Sequence, residues 1–338
     1  MFKRIKAILV IISILVSFLL FQNIDLAIAK DPDYPTKPIT FYISFGAGGS
    51  TDLASRAFAE AAAKHIGQPF VCINKPGAGG TLAAMAIMSA KPDGYTLGPV
   101  STGASLVAPL SGTAPYKDLT GIEVIVNFGK YIYLLVVRDD SPWKTWKDFI
   151  EWARMNPRAA KVGIVGAKTA SAVGFITRQI EDREDVELTG ISLKSSAEVL
   201  QATLGGHITL FNSTTDPSVV EYIKEGKLRI LYYASPEKLP GYENISCCLD
   251  LYGDEFCIPN FLGVMGPRGL PDYVLKKLDD AFAKAVKDPD FISLMKRMYM
   301  PVVYMNRDQM NNYVEEGFTR MGRIIKYLES KEKAKGGK

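Results

Sequence analysis

The sequence predicts an α/β protein whose mostly parallel sheets are divided between two domains. Strand-like and helix-like segments alternate along nearly the whole chain, which is the pattern of parallel strands covered by helices. The tetrapeptide Gly-Ala-Gly-Gly occurs twice, each time between a strand-like and a helix-like run. About 300 residues remain after an N-terminal leader, more than one usual core holds and enough for two domains of roughly 100 to 150 residues.

The first part of the pattern contains two strand–loop–helix units. Residues 39–45 (ITFYISF) and 70–74 (FVCIN) predict buried strands, and residues 53–66 and 82–90 predict helices. Glycines between them allow the backbone to approach a ligand closely, and the free N–H groups of a first helical turn favour phosphate or carboxylate. Two such loops indicate an anion site built from backbone; the alternative is that these glycines only form tight turns.

The alternation continues to the end of the chain. Ligands of open α/β sheets lie at the carboxyl ends of strands, where both glycine loops fall. The polar loops 166–171 and 212–216 fall at equivalent strand ends and could close the other side of a cleft, although ordinary capping and turns would also explain them. Further strands are predicted at 95–101, 131–137, 161–165, up to 191, 208–211, 228–234 and 261–266, and helices at 145–155, 170–181, 197–204, 272–286 and 307–328.

The N-terminus predicts a secretory signal peptide over residues 1–29. Three basic residues precede an apolar stretch at 7–21, and Ala27-Ile28-Ala29 is a small-x-small cleavage pattern. No later segment has the roughly 18 uninterrupted apolar residues of a membrane span. We expect a soluble mature protein that starts near Lys30 and is located in the periplasm; an uncleaved N-terminal anchor is the alternative.

The net positive charge of the chain lies in two terminal segments outside the expected fold. Removal of residues 1–29 deletes three positive charges and Asp25, which takes the net charge from +4 to +2. The tail at 331–338 carries four lysines and Glu332, so the folded body is near −1. Nucleic-acid binding needs a clustered basic surface and therefore loses its main support. We expect the basic tail to be disordered.

Cysteines and histidines give little support to metal or catalytic chemistry. Cys72 lies in a strand and is expected to be a buried free thiol, whereas Cys257 could pair with either Cys247 or Cys248. Their spacing is not a zinc pattern. His65 and His207 have no nearby nucleophile motif, and the glycine loops match neither a P-loop nor a dinucleotide fingerprint. The sequence therefore predicts a protein that is not an enzyme and has no metal or cofactor.

An ordered string of short motifs resembles the substrate-binding proteins of tripartite tricarboxylate transporters, also called Bug receptors. The resemblance covers essentially the whole mature chain. Its motifs are Tyr34-Pro-x-Lys-Pro-Ile39, Phe45-Gly-Ala-Gly-Gly-Ser-Thr-Asp52, Asn74-Lys-Pro-Gly-Ala-Gly-Gly80, Pro92-Asp-Gly-Tyr-Thr-Leu97, Leu193-Lys-Ser-Ser196, Leu204-Gly-Gly206, Gly226-Lys-Leu-Arg229 and Phe261-Leu-Gly-Val-Met-Gly-Pro267.

The resemblance implies a type II periplasmic-binding-protein fold with two α/β domains closing over a small organic acid. Domain 1 would comprise residues 30–128 and 240–330, and domain 2 residues 129–239. The partner would be a membrane permease of one large and one small subunit, with no nucleic acid involved and a monomeric receptor. The alternative is a receptor that signals to a membrane sensor kinase, which would have kinase genes rather than permease genes nearby.

The resemblance also places a carboxylate between the two glycine loops, held largely by main-chain amides. Asp52 should orient its own loop rather than touch the ligand. Lys168 departs from the family pattern: at the cleft it would add a cation for a distal carboxylate, and towards solvent it would contribute little. The candidate ligand-binding residues are Gly46, Ala47, Gly48, Gly49, Ser50, Thr51, Gly77, Ala78, Gly79, Gly80, Ser101, Thr102, Lys168, Thr169, Ser171 and Ser213.

Overall fold

Two five-stranded sheets organise the residues that this computed structural model describes, 33–215 and 217–336. The predicted signal peptide lies outside these residues. The strands are β1 (Ile39–Ile43), β2 (Phe70–Asn74), β3 (Thr96–Ser101), β4 (Ile122–Gly129), β5 (Tyr133–Arg138), β6 (Lys161–Val165), β7 (Thr189–Leu193), β8 (Leu210–Thr214), β9 (Leu228–Tyr233) and β10 (Leu262–Pro267).

Helices cover the sheets, and short helical turns occupy Ala78–Gly80, Gly103–Val107, Ala108–Leu110 and Asp254–Phe256. Among the described residues, no helix is long and apolar enough to cross a membrane. The longer helices are α1 (Ser50–Ile66), α2 (Thr81–Met88), α3 (Trp146–Met155), α4 (Ala172–Glu184), α5 (Ser196–Leu204), α6 (Pro217–Lys224), α7 (Cys248–Tyr252), α8 (Asp272–Ala285), α9 (Pro289–Arg297) and α10 (Arg307–Gly336).

The two sheets share one plan. The strand order is β2-β1-β3-β10-β4 in the first sheet and β7-β6-β8-β5-β9 in the second. β1 pairs in parallel with β2 and β3, and β6 with β7 and β8. β10 is antiparallel to both of its neighbours, as is β5. Four strands of each sheet thus share one direction, which confirms the predicted mostly parallel α/β architecture.

Apolar periodicity builds the core of the first sheet. Ile39, Phe41 and Ile43 are buried on alternate positions of β1, as expected of a strand with one face in the core. On α1, Phe58 stacks on Phe128 of β4 with ring centroids 4.2 Å apart. Burying a Phe side chain contributes about 1.5–3 kcal/mol, so this contact fixes the helix whose start faces the other sheet.

The chain passes between the sheets twice. The first passage joins β4 to β5, and the second runs from the end of β9 to β10. Both sheets belong to one compact unit, Tyr34–Lys338, so the predicted domain boundaries stay a prediction. Part of the segment after residue 240 contacts the second sheet: Tyr233 N donates to Ser246 O at 3.1 Å.

Several features of the fold differ from the prediction. β8 continues through Thr214, so residues expected in a polar loop are strand residues paired with β5, where β-branched threonine is favoured. α10 extends through Gly336 into the segment expected to be disordered, because its Lys, Glu and Ala residues are good helix formers. The prediction also missed β4, α6, α7 and α9. β2 was expected to be buried but has Val71 and Ile73 47% and 44% exposed.

The cysteines resolve the pairing that the sequence left open. Cys248 and Cys257 form a disulfide, while Cys72 and Cys247 are free. Cys247 is buried, and Cys72 is half-buried rather than buried. Burial raises the pKa of the Cys72 thiol, which keeps it in the unreactive thiol form.

Candidate functional site

A cavity of about 50 Å³ lies between the elements of the two sheets. Its walls come from the first glycine loop, the end of β3, the first passage between the sheets, and the starts of α4 and α5. The lining residues are Phe45, Gly49, Ser50, Thr51, Ser101, Gly103, Tyr131, Tyr133, Val165, Ser171, Ala172, Val173, Ser195, Ser196, Ser213 and Thr214.

Three helices begin at this cavity. Ser50, Ala172 and Ser196 are the first residues of α1, α4 and α5, and each lines the wall. The first N–H groups of a helix have no partner within the helix, and the dipole places about half a positive charge at that end. Three such ends around one space would favour a bound anion without a charged side chain.

The caps of these helices follow from the local sequence. Ser171 Oγ accepts from Gly174 N at 3.1 Å, and Ser195 Oγ accepts from Glu198 N at 3.2 Å, both serine N-caps. α1 carries Asp52 in its first turn and α5 carries Glu198, whereas α4 has no acidic residue there. The positive end of α4 is therefore the least compensated by the protein itself.

The first glycine loop is held by Asp52. Gly48 N donates to Asp52 Oδ2 at 3.0 Å, and Asn74 Nδ2 donates to Asp52 Oδ1 at 2.8 Å and to Phe45 O at 2.9 Å. Arg56 Nε also donates to Asp52 Oδ1 at 2.9 Å. This buried carboxylate therefore contacts its own loop and the following strand, which confirms the orienting role predicted for it.

Direct hydrogen bonds join the two sides of the cavity. Ser50 Oγ bonds to Thr214 Oγ1, and Ser50 N donates to Ser196 Oγ at 3.2 Å. Gly46 N donates to Lys194 O at 3.1 Å. The loop that opens α1 is thus bonded to both β8 and the start of α5.

Two tyrosines of the first passage form the inner wall. Tyr131 OH bonds to Thr51 Oγ1 at 2.9 Å, and burial raises the pKa of both Tyr131 and Tyr133. Neither phenol ionises near neutral pH, so both present uncharged O–H groups. Asn260 fixes this passage: its Oδ1 accepts from Tyr131 N at 2.9 Å, and its Nδ2 donates to Tyr131 O.

The second glycine loop does not line this cavity. Gly77, Ala78 and Gly79 line a neighbouring cavity of about 350 Å³ together with Phe45 and Lys194. A Cβ on Gly79 would lie 2.5 Å from Ala170 O, so this loop packs backbone to backbone against the residues before α4. Gly80 is buried and lines neither of the two cavities.

Lys168 does not line the cavity, which decides against the first of the two alternatives that the sequence left open for it. Its Nζ donates to Glu181 Oε1 at 2.7 Å and to Leu188 O at 3.5 Å. Glu181 lies on α4 more than two turns from its start, so the ion pair draws the ammonium away from the helix N-terminus. Thr169 is exposed and lies outside the lining, and Thr102 Oγ1 donates to Pro259 O at 2.6 Å instead of facing the cavity.

The structure brings six candidate residues together around the cavity: Gly49, Ser50, Thr51, Ser101, Ser171 and Ser213. Gly46, Ala47 and Gly48 belong to the same loop but lie outside the lining. Tyr131 and Tyr133, which belong to the strand predicted at 131–137, also line the cavity. Lining residues absent from the candidates are Phe45, Gly103, Val165, Ala172, Val173, Ser195, Ser196 and Thr214.

One part of the cavity wall that was absent from the candidate residues could have been predicted from the sequence. Ser195 and Glu198 have the spacing of a capping box, which marks a helix N-terminus after β7. Among residues 33–215 and 217–336, no group of three His, Cys, Asp or Glu side chains is placed to hold a metal ion.

Comparison with known proteins assigns this architecture to a family. Residues 54–329 match the family model described as tripartite tricarboxylate transporter family receptor. A Cupriavidus necator protein named UPF0065 protein in gbd 5′ region is 32% identical over 300 residues, covering 89% of this chain and 90% of the relative. Protein BugT of Bordetella pertussis is 25% identical over 302 residues, covering 89% and 92%.

Solved structures share the fold. One described as a periplasmic transporter superposes with a TM-score of 0.80 at 27% identity, covering 87% of this chain and 98% of that one. MatC from Rhodopseudomonas palustris with bound malate superposes with a TM-score of 0.78 at 23% identity, covering 86% of this chain and 100% of that one. The R. palustris protein Rpa4515 with adipate superposes with a TM-score of 0.79 at 23% identity, covering 88% of this chain and 99% of that one.

Proposed function

We propose a function from one premise: this chain belongs to the tripartite tricarboxylate transporter receptor family. On that basis it is a periplasmic receptor that binds a small organic acid between its two sheets and delivers it to a membrane permease of one large and one small subunit. It carries out no covalent chemistry. The relatives solved with malate and adipate support an organic acid as the ligand.

The convergence of three helix N-termini on one cavity carries this proposal. A carboxylate there would accept from main-chain N–H groups at the starts of α1 and α4, beside Thr51 and Val173. Hydrogen bonds to a charged group contribute about 1.5–3 kcal/mol each, so four would supply about 6–12 kcal/mol before ordering costs. Micromolar affinity needs about 8 kcal/mol.

Binding would be coupled to closure of the cleft. The ligand can shift the equilibrium only by its greater affinity for the closed form. Ser50, Thr214 and Ser196 already bond across the cavity, and a carboxylate at the same helix ends would add contacts from both sides. The two passages, held by Asn260 at Tyr131, are the proposed hinge.

A thermal-shift screen of the purified protein against mono-, di- and tricarboxylates, amino acids and aromatic acids tests the proposal. A ligand at 100 times its Kd stabilises the folded state by about 2.7 kcal/mol, a readable rise in Tm. A dose-dependent rise with one acid class is expected. Failure of every carboxylate, in protein shown by mass spectrometry to carry no trapped ligand, would reject the receptor function.

A matched pair of variants tests the location. Ala172→Asp places a carboxylate at the first residue of α4, inside the cavity, where the helix itself tolerates negative charge. Ala197→Asp places the same charge at the second residue of α5, outside the lining. The first substitution should abolish the ligand-dependent Tm rise and the second should retain it. Equal responses would move the site elsewhere.

A further inference from the structure

Among residues 33–215 and 217–336, no side-chain cation lines the cavity to pair with a second carboxylate. Its described lining consists of uncharged residues. The neighbouring lysines are engaged or lie elsewhere: Lys168 pairs with Glu181, Lys130 pairs with Glu237, and Lys194 lines the adjoining cavity. The positive potential of the cavity therefore comes from backbone.

The backbone charge matches a single anion. Each helix N-terminus carries about half a positive charge, so α1, α4 and α5 together supply roughly 1.5 charges. The carboxylates of Asp52 and Glu198 already offset part of this at α1 and α5. One bound carboxylate uses what remains, whereas a second would be buried without a partner, which is unfavourable.

The cavity is also small. Its volume of about 50 Å³ is a third of the roughly 150 Å³ of an engineered cavity that accommodates benzene. An acid of about two to four carbons matches this space, and a tricarboxylate would require the cross-cavity bond between Ser50 and Thr214 to open.

One hydroxyl in the wall lacks a partner. Ser101 Oγ is buried, lines the cavity, and has no hydrogen-bond partner among the described residues. Ser50, Thr51, Ser171 and Ser195 all use their hydroxyls in the bonds described above. Because a buried hydroxyl without a partner is unfavourable, Ser101 is well suited to pair with a ligand oxygen.

We propose that the receptor selects short monocarboxylates with an uncharged tail over di- and tricarboxylates, and that Ser101 hydroxyl bonds to an oxygen of the ligand. This inference rests on the proposed function and names the substrate class of the same site. Selectivity would follow from the absence of a partner for a second negative charge, a form of discrimination by unpaired buried charge.

Calorimetric titration with acids that differ by one carboxylate tests the selectivity. Lactate and malate form one pair, and propionate and succinate form another. We expect each monocarboxylate to bind at least about tenfold more tightly than its dicarboxylate partner, since a second buried charge is unpaired. Tighter binding of malate, succinate or citrate would overturn the inference and leave a carboxylate receptor. Failure of all of them to bind would overturn both.

Two serine variants test the assignment of the hydroxyl. Ser101→Ala should weaken lactate binding about tenfold, the effect of one hydrogen bond to a charged group. Ser105→Ala is the control, because Ser105 is also a buried serine without a hydrogen-bond partner in the described part of the chain but lies outside the lining. Ser105→Ala should change the affinity by less than about twofold. Equal losses in the two variants, or no loss in Ser101→Ala, would reject the role of Ser101.

Discussion

The two Gly-Ala-Gly-Gly loops have the same sequence and different tasks. The first, Gly46–Gly49, leads into α1 and places its last residue and Ser50 at the small cavity. The second, Gly77–Gly80, forms a helical turn in which four consecutive residues have positive φ, and it packs against the residues before α4. One loop forms part of the wall of the small cavity, and the other packs backbone to backbone against the residues before α4.

The residues around the glycines account for the difference. Asp52, three residues after the first loop, accepts a hydrogen bond from Gly48 N. This bond holds the loop so that the N-terminus of α1 lines the cavity. The equivalent position after the second loop is Ala83, which is buried and cannot donate or accept through its side chain. Thr81, the first residue after the second loop, donates from Oγ1 to Ala78 O within that loop. A glycine motif thus predicts a backbone conformation, and its neighbours determine the function.

The largest predicted effect separates the packing roles of the loops. Gly79→Ala adds a methyl group 2.5 Å from Ala170 O at φ +68°, so we expect weaker closure and a loss of ligand affinity of about thirtyfold or more, equivalent to about 2 kcal/mol. Gly48→Ala is the control, because Gly48 also has positive φ but has no atom within 4 Å of the added Cβ. It should reduce stability by about 1 kcal/mol and change affinity little. Equal affinities in calorimetry would contradict the account.

The second effect concerns Asp52, whose carboxylate holds the first loop in place. Asp52→Asn removes the charge of a buried carboxylate that accepts from Gly48, Asn74 and Arg56, and we expect the free energy of unfolding to fall by about 2 kcal/mol. Asp290→Asn is the control, since that carboxylate pairs with Lys64 while 91% exposed and should leave stability unchanged. Urea denaturation measures both. If Asp52→Asn lowers the free energy of unfolding by less than about 0.5 kcal/mol, Asp52 does not hold the first loop in place.

A smaller effect compares the first helical residue after each loop. Ser50→Ala removes the bond to Thr214 across the cavity and should weaken ligand binding up to about tenfold, the range of one net hydrogen bond. Thr81→Ala removes only the bond to Ala78 within the second loop, so affinity should stay within about twofold. A double-mutant cycle of Ser50→Ala with Thr214→Val should show coupling. Additive losses would mean that the two hydroxyls do not act together.

The smallest effect tests whether a side-chain cation supplements the loops. Lys168→Met removes a partly exposed ion pair with Glu181, which is worth about 0–1 kcal/mol to stability. Ligand affinity should change by less than about twofold, because Nζ bonds away from the cavity. A tenfold loss at low salt would restore Lys168 as a ligand-binding residue.

Sequence reasoning recovered most of the fold because strand and helix periods are local signals. The alternate burial of Ile39, Phe41 and Ile43 is visible in their spacing. The two sheets, the positions of both glycine loops and the orienting role of Asp52 all follow from such signals together with the family resemblance.

The remaining parts of the site depend on contacts distant in sequence. Lys168 bonds to Glu181 thirteen residues later, and nothing in a loop sequence fixes that direction. Tyr131 and Tyr133 carry an apolar pattern typical of a core strand, but the passage between the sheets places them at the cavity. Gly79 lines the adjoining cavity and packs against Ala170, a contact between residues far apart in sequence that no local pattern indicates.

A crystal structure with the tightest-binding acid would locate the bound carboxylate. We expect one carboxylate in the small cavity, within about 3 Å of main-chain nitrogens at the starts of α1 and α4, with Gly79 still packed against Ala170. A carboxylate bound in the adjoining cavity, against Gly77–Gly79 or Lys194, would contradict it and assign the binding role to the second loop.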